Sequence, residues 1–401
     1  MTDDRYAHRK VNATITVSDA HGKPLPGQSV TVEQLQHAFG FGCTPPAEND
    51  AAREQWLELF DTATLAFYWG RYEPVQGITD RENVMASAHW LVERGVRLKG
   101  HPLVWHTVKA PWVDPLPLDE AEELLRGRIR REVRDFAGVI DSWDAINEVV
   151  IMPDFDNEPD GVKNAITRLC AEKGRVEMVR LAVAEARSQN PDAQLILNDF
   201  DLGPRYEQLV EDVLAAGIQI DAIGLQSHMH KGFRGEAQLT EICDRFARFG
   251  LPLHWTETTL LSGDLMPAEI DDLNDYVVDH WPSTEDGEAR QAEEIVRHYS
   301  TLVAHPAVES ITYWGFDDAG AWLGAPVGVV RADGSQKPAF AALRDLIRRQ
   351  WWLQRVDLVS DSHGRIEFEA FAGSFSLSSG ESRLRVDLPV GTSEVELALS
   401  A

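Results

Sequence analysis

The sequence predicts an α/β fold: a closed (β/α)8 barrel with a small β subdomain built from the chain ends. Three observations carry this. Eight short apolar runs recur along the chain, at Phe39–Gly42, Leu65–Trp69, Val96–Leu103, Ser142–Ile146, Gln194–Asn198, Ala222–Gln226, Leu253–Thr256 and Ser310–Trp314. Between them lie longer stretches whose apolar residues recur at three- and four-residue steps, the period of an amphipathic helix. Strands alternating with helices imply a parallel sheet, and eight repeats imply closure. No G-x-G-x-x-G follows an early run, so a dinucleotide fold loses support.

Taken in order, residues 1–37 read as a β-hairpin. Ala13, Ile15 and Val17 alternate with polar residues, HGKPLPGQ supplies a turn, and Val30 and Val32 resume the alternation. The barrel is expected over residues 38–350. Its helical stretches include AAREQWLELFDTA, AEELLRGRIRREVRDFAG, YEQLVEDVLAAG and LTEICDRFARFG, and several end in glycine, a common helix stop. From Trp351 to residue 401 the pattern changes to short alternating strands with Gly/Ser turns. This segment is small for an isolated domain, and it is expected to pack with the N-terminal hairpin. After Trp352 its aromatics are Phe368, Phe371 and Phe375, with no Trp or Tyr, which favours a structural role over sugar binding.

The net charge of −27 disfavours nucleic acid and anionic membranes as partners, because both need a basic face. A neutral substrate stays open. No run of about 18 apolar residues occurs. The N-terminal residues lack the apolar core of a signal peptide, and the initiator Met predicts a cytoplasmic start. Cys43, Cys170 and Cys243 are widely spaced and form no C-x-x-C, so buried structural thiols are expected rather than disulfides or a zinc ribbon. No pattern specifies an oligomeric interface.

In such a barrel the reactive residues stand at the C-terminal ends of strands. The fourth run ends in Asn147-Glu148 and the seventh in Glu257. Two carboxyls from opposite sides of a barrel mouth are what a retaining glycosidase requires. One attacks the anomeric carbon, and the other protonates the leaving oxygen and later deprotonates water. Asn147 is placed to bond a sugar 2-hydroxyl. The third run ends in GHPLVWH, giving His101, Trp105 and His106. The sixth ends in IGLQSHMH, giving Gln226, His228 and His230. The eighth leads to Trp314 and Trp322. Indoles stack on sugar faces, while imidazoles and amides bond hydroxyls. Taken singly, each of these residues equally fits a core or solvated role. His228-x-His230 also fits zinc, but no H-E-x-x-H accompanies it.

Together these strings resemble glycoside hydrolase family 10, the retaining endo-β-1,4-xylanases, from about Phe39 to Phe340. GHPLVWH is similar to G-H-T-L-V-W-H, and WDAINEV to W-D-V-V-N-E-A. LILNDF is similar to the Y-N-D-Y segment, IGLQSHMH to I-G-L-Q-S-H, HWTETTL to I-T-E-L-D, YWGFDDAGAW to W-G-V-x-D, and QKPAF to K-P-A-Y. The resemblance implies Glu148 as acid/base and Glu257 as nucleophile, with His228 orienting the latter. It implies Asn147, His101, Trp105, Asn198, Gln226, Trp314 and Trp322 around the sugar, a carbohydrate substrate, and no metal or organic cofactor.

One departure stands out. The family's second strand carries E-N-E-M-K-W, whose Glu, Asn and Lys bond the sugar beyond the cleavage site. This chain reads Thr64-Leu65-Ala66-Phe67-Tyr68-Trp69 there. A site built around hydroxyl contacts loses affinity when its partners vanish. The chemistry is therefore expected to be kept and the glycone-side specificity changed. Thr258-Thr259 replaces Leu-Asp after the nucleophile, and Phe200 replaces Tyr after Asn-Asp.

Overall fold

The apolar runs become the staves of one closed barrel in the computed structural model, which describes residues 4–46, 49–158 and 161–399. Before the barrel come β1 (Lys10–Ser18) and β2 (Ser29–His37). The staves are β3 (Gly40–Cys43), β4 (Thr62–Ala66), β5 (Arg97–His101), β6 (Ser142–Asn147), β7 (Gln194–Asp199), β8 (Ala222–Met229), β9 (Leu253–Leu260) and β10 (Val308–Tyr313). Each is parallel to its neighbours, and β10 pairs with β3 to close the ring. Helices cover the outside and side chains fill the inside, so β9 is buried at all its positions, Leu253–Leu260. The second run lies earlier than its apolarity predicts. The strand ends at Ala66, and Trp69 opens the short helix α2, because its indole is held by Glu73 one turn on at 3.0 Å.

The helices are α1 (Asp50–Leu59), α2 (Trp69–Tyr72), α3 (Arg81–Val92), α4 (Leu118–Phe136), α5 (Ala165–Lys173), α6 (Arg175–Gln189), α7 (Pro204–Ala215), α8 (Glu236–Ala247), α9 (Glu285–Ala304) and α10 (Pro338–Asp345). Their starts are written in the sequence. Asn164 caps α5 through the Thr167 amide at 3.0 Å, Thr284 caps α9 through that of Gly287 at 3.0 Å, and Pro204 opens α7. Along α4, Ala121, Leu125, Ile129, Val133 and Phe136 form the buried stripe. Arg128 lies on it too. Its guanidinium donates to the carbonyls of Phe67, Leu103 and Pro102, tying together the segments that follow β4 and β5.

The strands expected to form an N-terminal hairpin do not pair with each other. β1 lies between β12 (Arg365–Phe371), antiparallel, and β15 (Gly391–Ala398), parallel. β2 lies between β11 (Val356–Val359) and β13 (Gly373–Ser379), and β14 (Ser382–Leu388) extends that second sheet. Alternation marks a half-buried strand but does not name its partner. Val11, Ile15 and Val17 from β1, Val30 and Val32 from β2, and Phe375 and Leu377 from β13 share one apolar core. Arg9, just ahead of β1, donates to the carbonyls of Val303 (3.0 Å), His305 (2.6 Å) and Val308 (2.5 Å), anchoring this segment on the junction of α9 and β10. All three cysteines are buried and free. Among the described residues no helix is long and apolar enough to cross a membrane.

Candidate active site

The strand ends of β5 to β10 bring the expected residues to one mouth. Glu148 follows β6, and Glu257 lies within β9. Both have left-handed backbones, at φ 55° and 57°. For a side chain with a Cβ this costs about 1–2 kcal/mol each, and such strain is commonly stored at functional sites. The pairing register slips beside them, between Asp144 and Ile146 of β6 and between Gln226 and His228 of β8. Bulges of this kind re-aim side chains.

Amides connect the two carboxyls. Asn198 Nδ2 donates to Glu257 Oε1 at 2.9 Å and to Asn147 Oδ1 at 2.7 Å. Asn147 Nδ2 donates to Glu148 Oε1 at 3.2 Å, and Gln226 Nε2 reaches the same oxygen at 3.2 Å and Asn147 Oδ1 at 3.0 Å. Thr256 fixes the Asn198 amide by donating to its Oδ1 at 2.6 Å. Trp105 donates its indole N–H to Glu148 Oε2 at 2.8 Å. His228 Nε2 stands 3.1 Å from Glu257 Oε2.

The two carboxyls are driven apart in acidity. Glu148 keeps an edge open to the mouth, but protein hems in its carboxyl. That desolvation, followed by the charge of Glu257, pushes its pKa up to about 8. Burial also acts to raise Glu257, but the fields of His101 and His228 and the His228 hydrogen bond outweigh it, holding the carboxyl below its ordinary value. One group thus keeps its proton near neutrality while the other is ionised, the separation that assigns acid and base roles at paired carboxyls. Asp199, buried behind them, is raised to about 7 by burial, and it accepts from the Val150 amide at 3.0 Å.

The aromatic residues gather at the same mouth. Trp314 packs against His101 with ring centres 5.1 Å apart, and Trp322, 39% exposed, lies 5.1 Å from His228 and 5.3 Å from His230. His106 and His230 stand behind this layer. Burial lowers each to about 3, so both are neutral at physiological pH.

Four contributors escaped the sequence reasoning. Asp144 accepts from His101 Nδ1 at 2.7 Å and from Lys99 Nζ at 2.7 Å, fixing the His101 ring from below. The signal was present: a Lys and an Asp at inward-facing positions of adjacent strands. Arg128 is the third. Tyr68 is the fourth and stands where the second-strand Lys is missing. Its ring meets Trp105 at 5.4 Å and His101 at 5.7 Å, and burial together with the Glu257 charge keeps its hydroxyl protonated. An aromatic wall therefore replaces the cation.

Gly224 of β8 makes the amide network possible. A Cβ there would stand 2.4 Å from Asn198 Oδ1. Gly224→Ala is expected to displace Asn198 and slacken its hold on both Glu257 and Asn147, lowering kcat by about 10-fold or more with thermal stability less affected. Steady-state kinetics beside a melting curve will check this. An unchanged kcat would mean that Asn198 does not need its observed position.

The model of glycosyl hydrolase family 10 matches residues 47–346, well over half of the chain. The chain belongs to this family. Curated relatives include a protein of Xylanibacter ruminicola named endo-1,4-beta-xylanase/feruloyl esterase, 26% identical over 71% of this chain and 41% of its own length. The anti-sigma-I factor RsgI6 of Acetivibrio thermocellus is 24% identical over 92% of this chain and 45% of its own length. The chain thus spans less than half the length of these two curated relatives. A solved family 10 structure from Paenibacillus barcinonensis aligns with a TM-score of 0.65 at 21% identity, covering 78% of this chain and 96% of that one, a likeness of fold. The family's barrel is the one observed here.

Proposed function

We propose that this chain is a retaining β-glycosidase acting on xylan-like β-1,4-linked sugars, with Glu257 as nucleophile and Glu148 as acid/base. The carrying observation is a pair of carboxyls, one just after β6 and one within β9, joined through Asn147 and Asn198, with opposed acidities. In the first step a Glu257 oxygen forms a bond to the anomeric carbon as the glycosidic C–O bond breaks, and Glu148 gives its proton to the departing oxygen. In the second, Glu148 takes a proton from water, whose oxygen displaces Glu257 and restores the starting configuration. His228 orients Glu257. Asn147 meets the 2-hydroxyl, and His101, Trp105, Asn198, Gln226, Trp314 and Trp322 shape the sugar site. This chemistry asks for no metal or organic cofactor.

The glycone side is read as altered. Thr64, Leu65 and Tyr68 stand where hydroxyl-binding Glu, Asn and Lys are missing, and Tyr68 packs on Trp105 instead. The anomer released first, read by proton NMR, tests retention. Comparable kcat/KM on xylohexaose and on an aryl β-xyloside supports loss of the distal glycone site, whereas a steep gain with glycone length refutes it. A non-catalytic carbohydrate-binding scaffold is the second reading, favoured by the missing clamp and by one relative's name as an anti-sigma factor. It requires binding without any product. We assign residues 38–350 to the catalytic barrel, and residues 1–37 with 351–401 to a β unit of structural role.

A further inference from the structure

We infer that a bridge between the loops after β6 and β9 closes the leaving-group side of the site, so that only short aglycones are accommodated. The inference rests on the glycosidase reading above and concerns the opposite side of the scissile bond from Tyr68.

Ring order puts β7 and β8 between β6 and β9. The segments after those two strands are brief, covering residues 200–203 and 230–235. The segment after β9 is long, covering residues 261–284, and it first lies over the one after β8. The Met266 amide donates to the His230 carbonyl at 2.9 Å, and Lys231 Nζ reaches the Ala268 carbonyl at 3.4 Å. Its tip then crosses to the segment after β6, where Asn157 Nδ2 donates to Asp272 Oδ2 at 2.6 Å. The contact therefore spans the end of β7, where Phe200 is 47% exposed.

Both arms make anchoring contacts. Asp272 is set by the Asn274 amide and side chain, each donating to its Oδ1 at 2.9 Å. The β9 arm packs Leu261, Met266 and Trp281 into a small core with Ala325 and Val327 of the segment after β10. The other arm is pinned where Lys109 Nζ meets Glu158 Oε2 at 2.6 Å and Phe155 packs against His106 at 4.4 Å. An arch held at both feet limits how far a sugar chain extends beyond the cleaved bond.

Xylo-oligosaccharides labelled at the reducing end test this, with product lengths read by chromatography. The label is expected to leave on a single sugar or a disaccharide from every chain length. In the double variant Asn157→Ala/Asp272→Ala the share of label on longer fragments should rise about 10-fold, while aryl β-xyloside turnover stays within about twofold of wild type. Wild-type release of long labelled fragments as readily as short ones overturns the arch alone. So does an unchanged pattern in a folded double variant, because the restriction then lies elsewhere. Absence of turnover on every aryl β-glycoside overturns the parent reading and this inference with it.

Discussion

Replacing Glu257 with alanine is expected to lower kcat by about 10⁴-fold on every β-glycoside the wild-type chain hydrolyses. Among the described residues the nearby buried carboxyls are each otherwise engaged, Asp144 by Lys99 and His101. Glu148 is protonated near neutrality, and Asp199 is turned to the Val150 amide behind the network. The variant separates a nucleophilic role from a structural one. Truncation empties space on the face of the sugar that Glu257 attacks. Added azide should then attack that face, giving a glycosyl azide of inverted configuration and restoring turnover of an activated aryl glycoside. A structural role predicts loss without rescue. Full activity in the variant would end the assignment.

The second large effect concerns Glu148. Glu148→Ala should lower kcat/KM on unactivated oligosaccharides by about 10³-fold, within the range for loss of a general acid. A dinitrophenyl glycoside, whose leaving group needs no proton, should lose far less in its first step. The pH profile carries a second signature. Glu148 is active with its proton on, so wild-type activity should fall as pH rises through about 8, where that proton is lost. Glu257 is active with its proton off, and its carboxyl is held low, so the acid limb should lie below the ordinary carboxylate value. The alanine variant should lose the basic limb and keep the acid one. A basic limb that survives unchanged would assign the proton donor to another group.

The barrel was legible in the sequence because its signal is periodic: Leu195–Leu197 and Ile223–Leu225 are buried on both faces and read as continuous apolar runs. The two Glu positions were legible because each closes such a run within a recognisable string. Partner choice was not. β1 and β2 are close in sequence and both alternate, so a hairpin was the natural inference, yet each finds its neighbours more than 300 residues away. The Lys99–Asp144 pair escaped because a buried charge is only as visible as its counter-charge, and that sits on the next strand. The second-strand string announced that a clamp was missing but not that Tyr68 would fill the space with an aromatic ring. Asn157 is exposed and Asp272 half-buried, both in irregular segments with no periodicity to connect them.

The position of β1 bears on how the molecule is made. Lys10 through Thr16 pair with residues 365–371, and Val11 through Ser18 with residues 391–398. A ribosome adding about 5–20 residues each second emits β1 more than 300 residues ahead of these partners. For tens of seconds this strand leaves the exit tunnel with both edges unsatisfied, beside a barrel that assembles in the meantime. Pairing of β1 therefore awaits the synthesis of residues 365–398. During that interval Val11, Ile15 and Val17 lack the core they share in the folded chain, and β1 is open to non-native pairing.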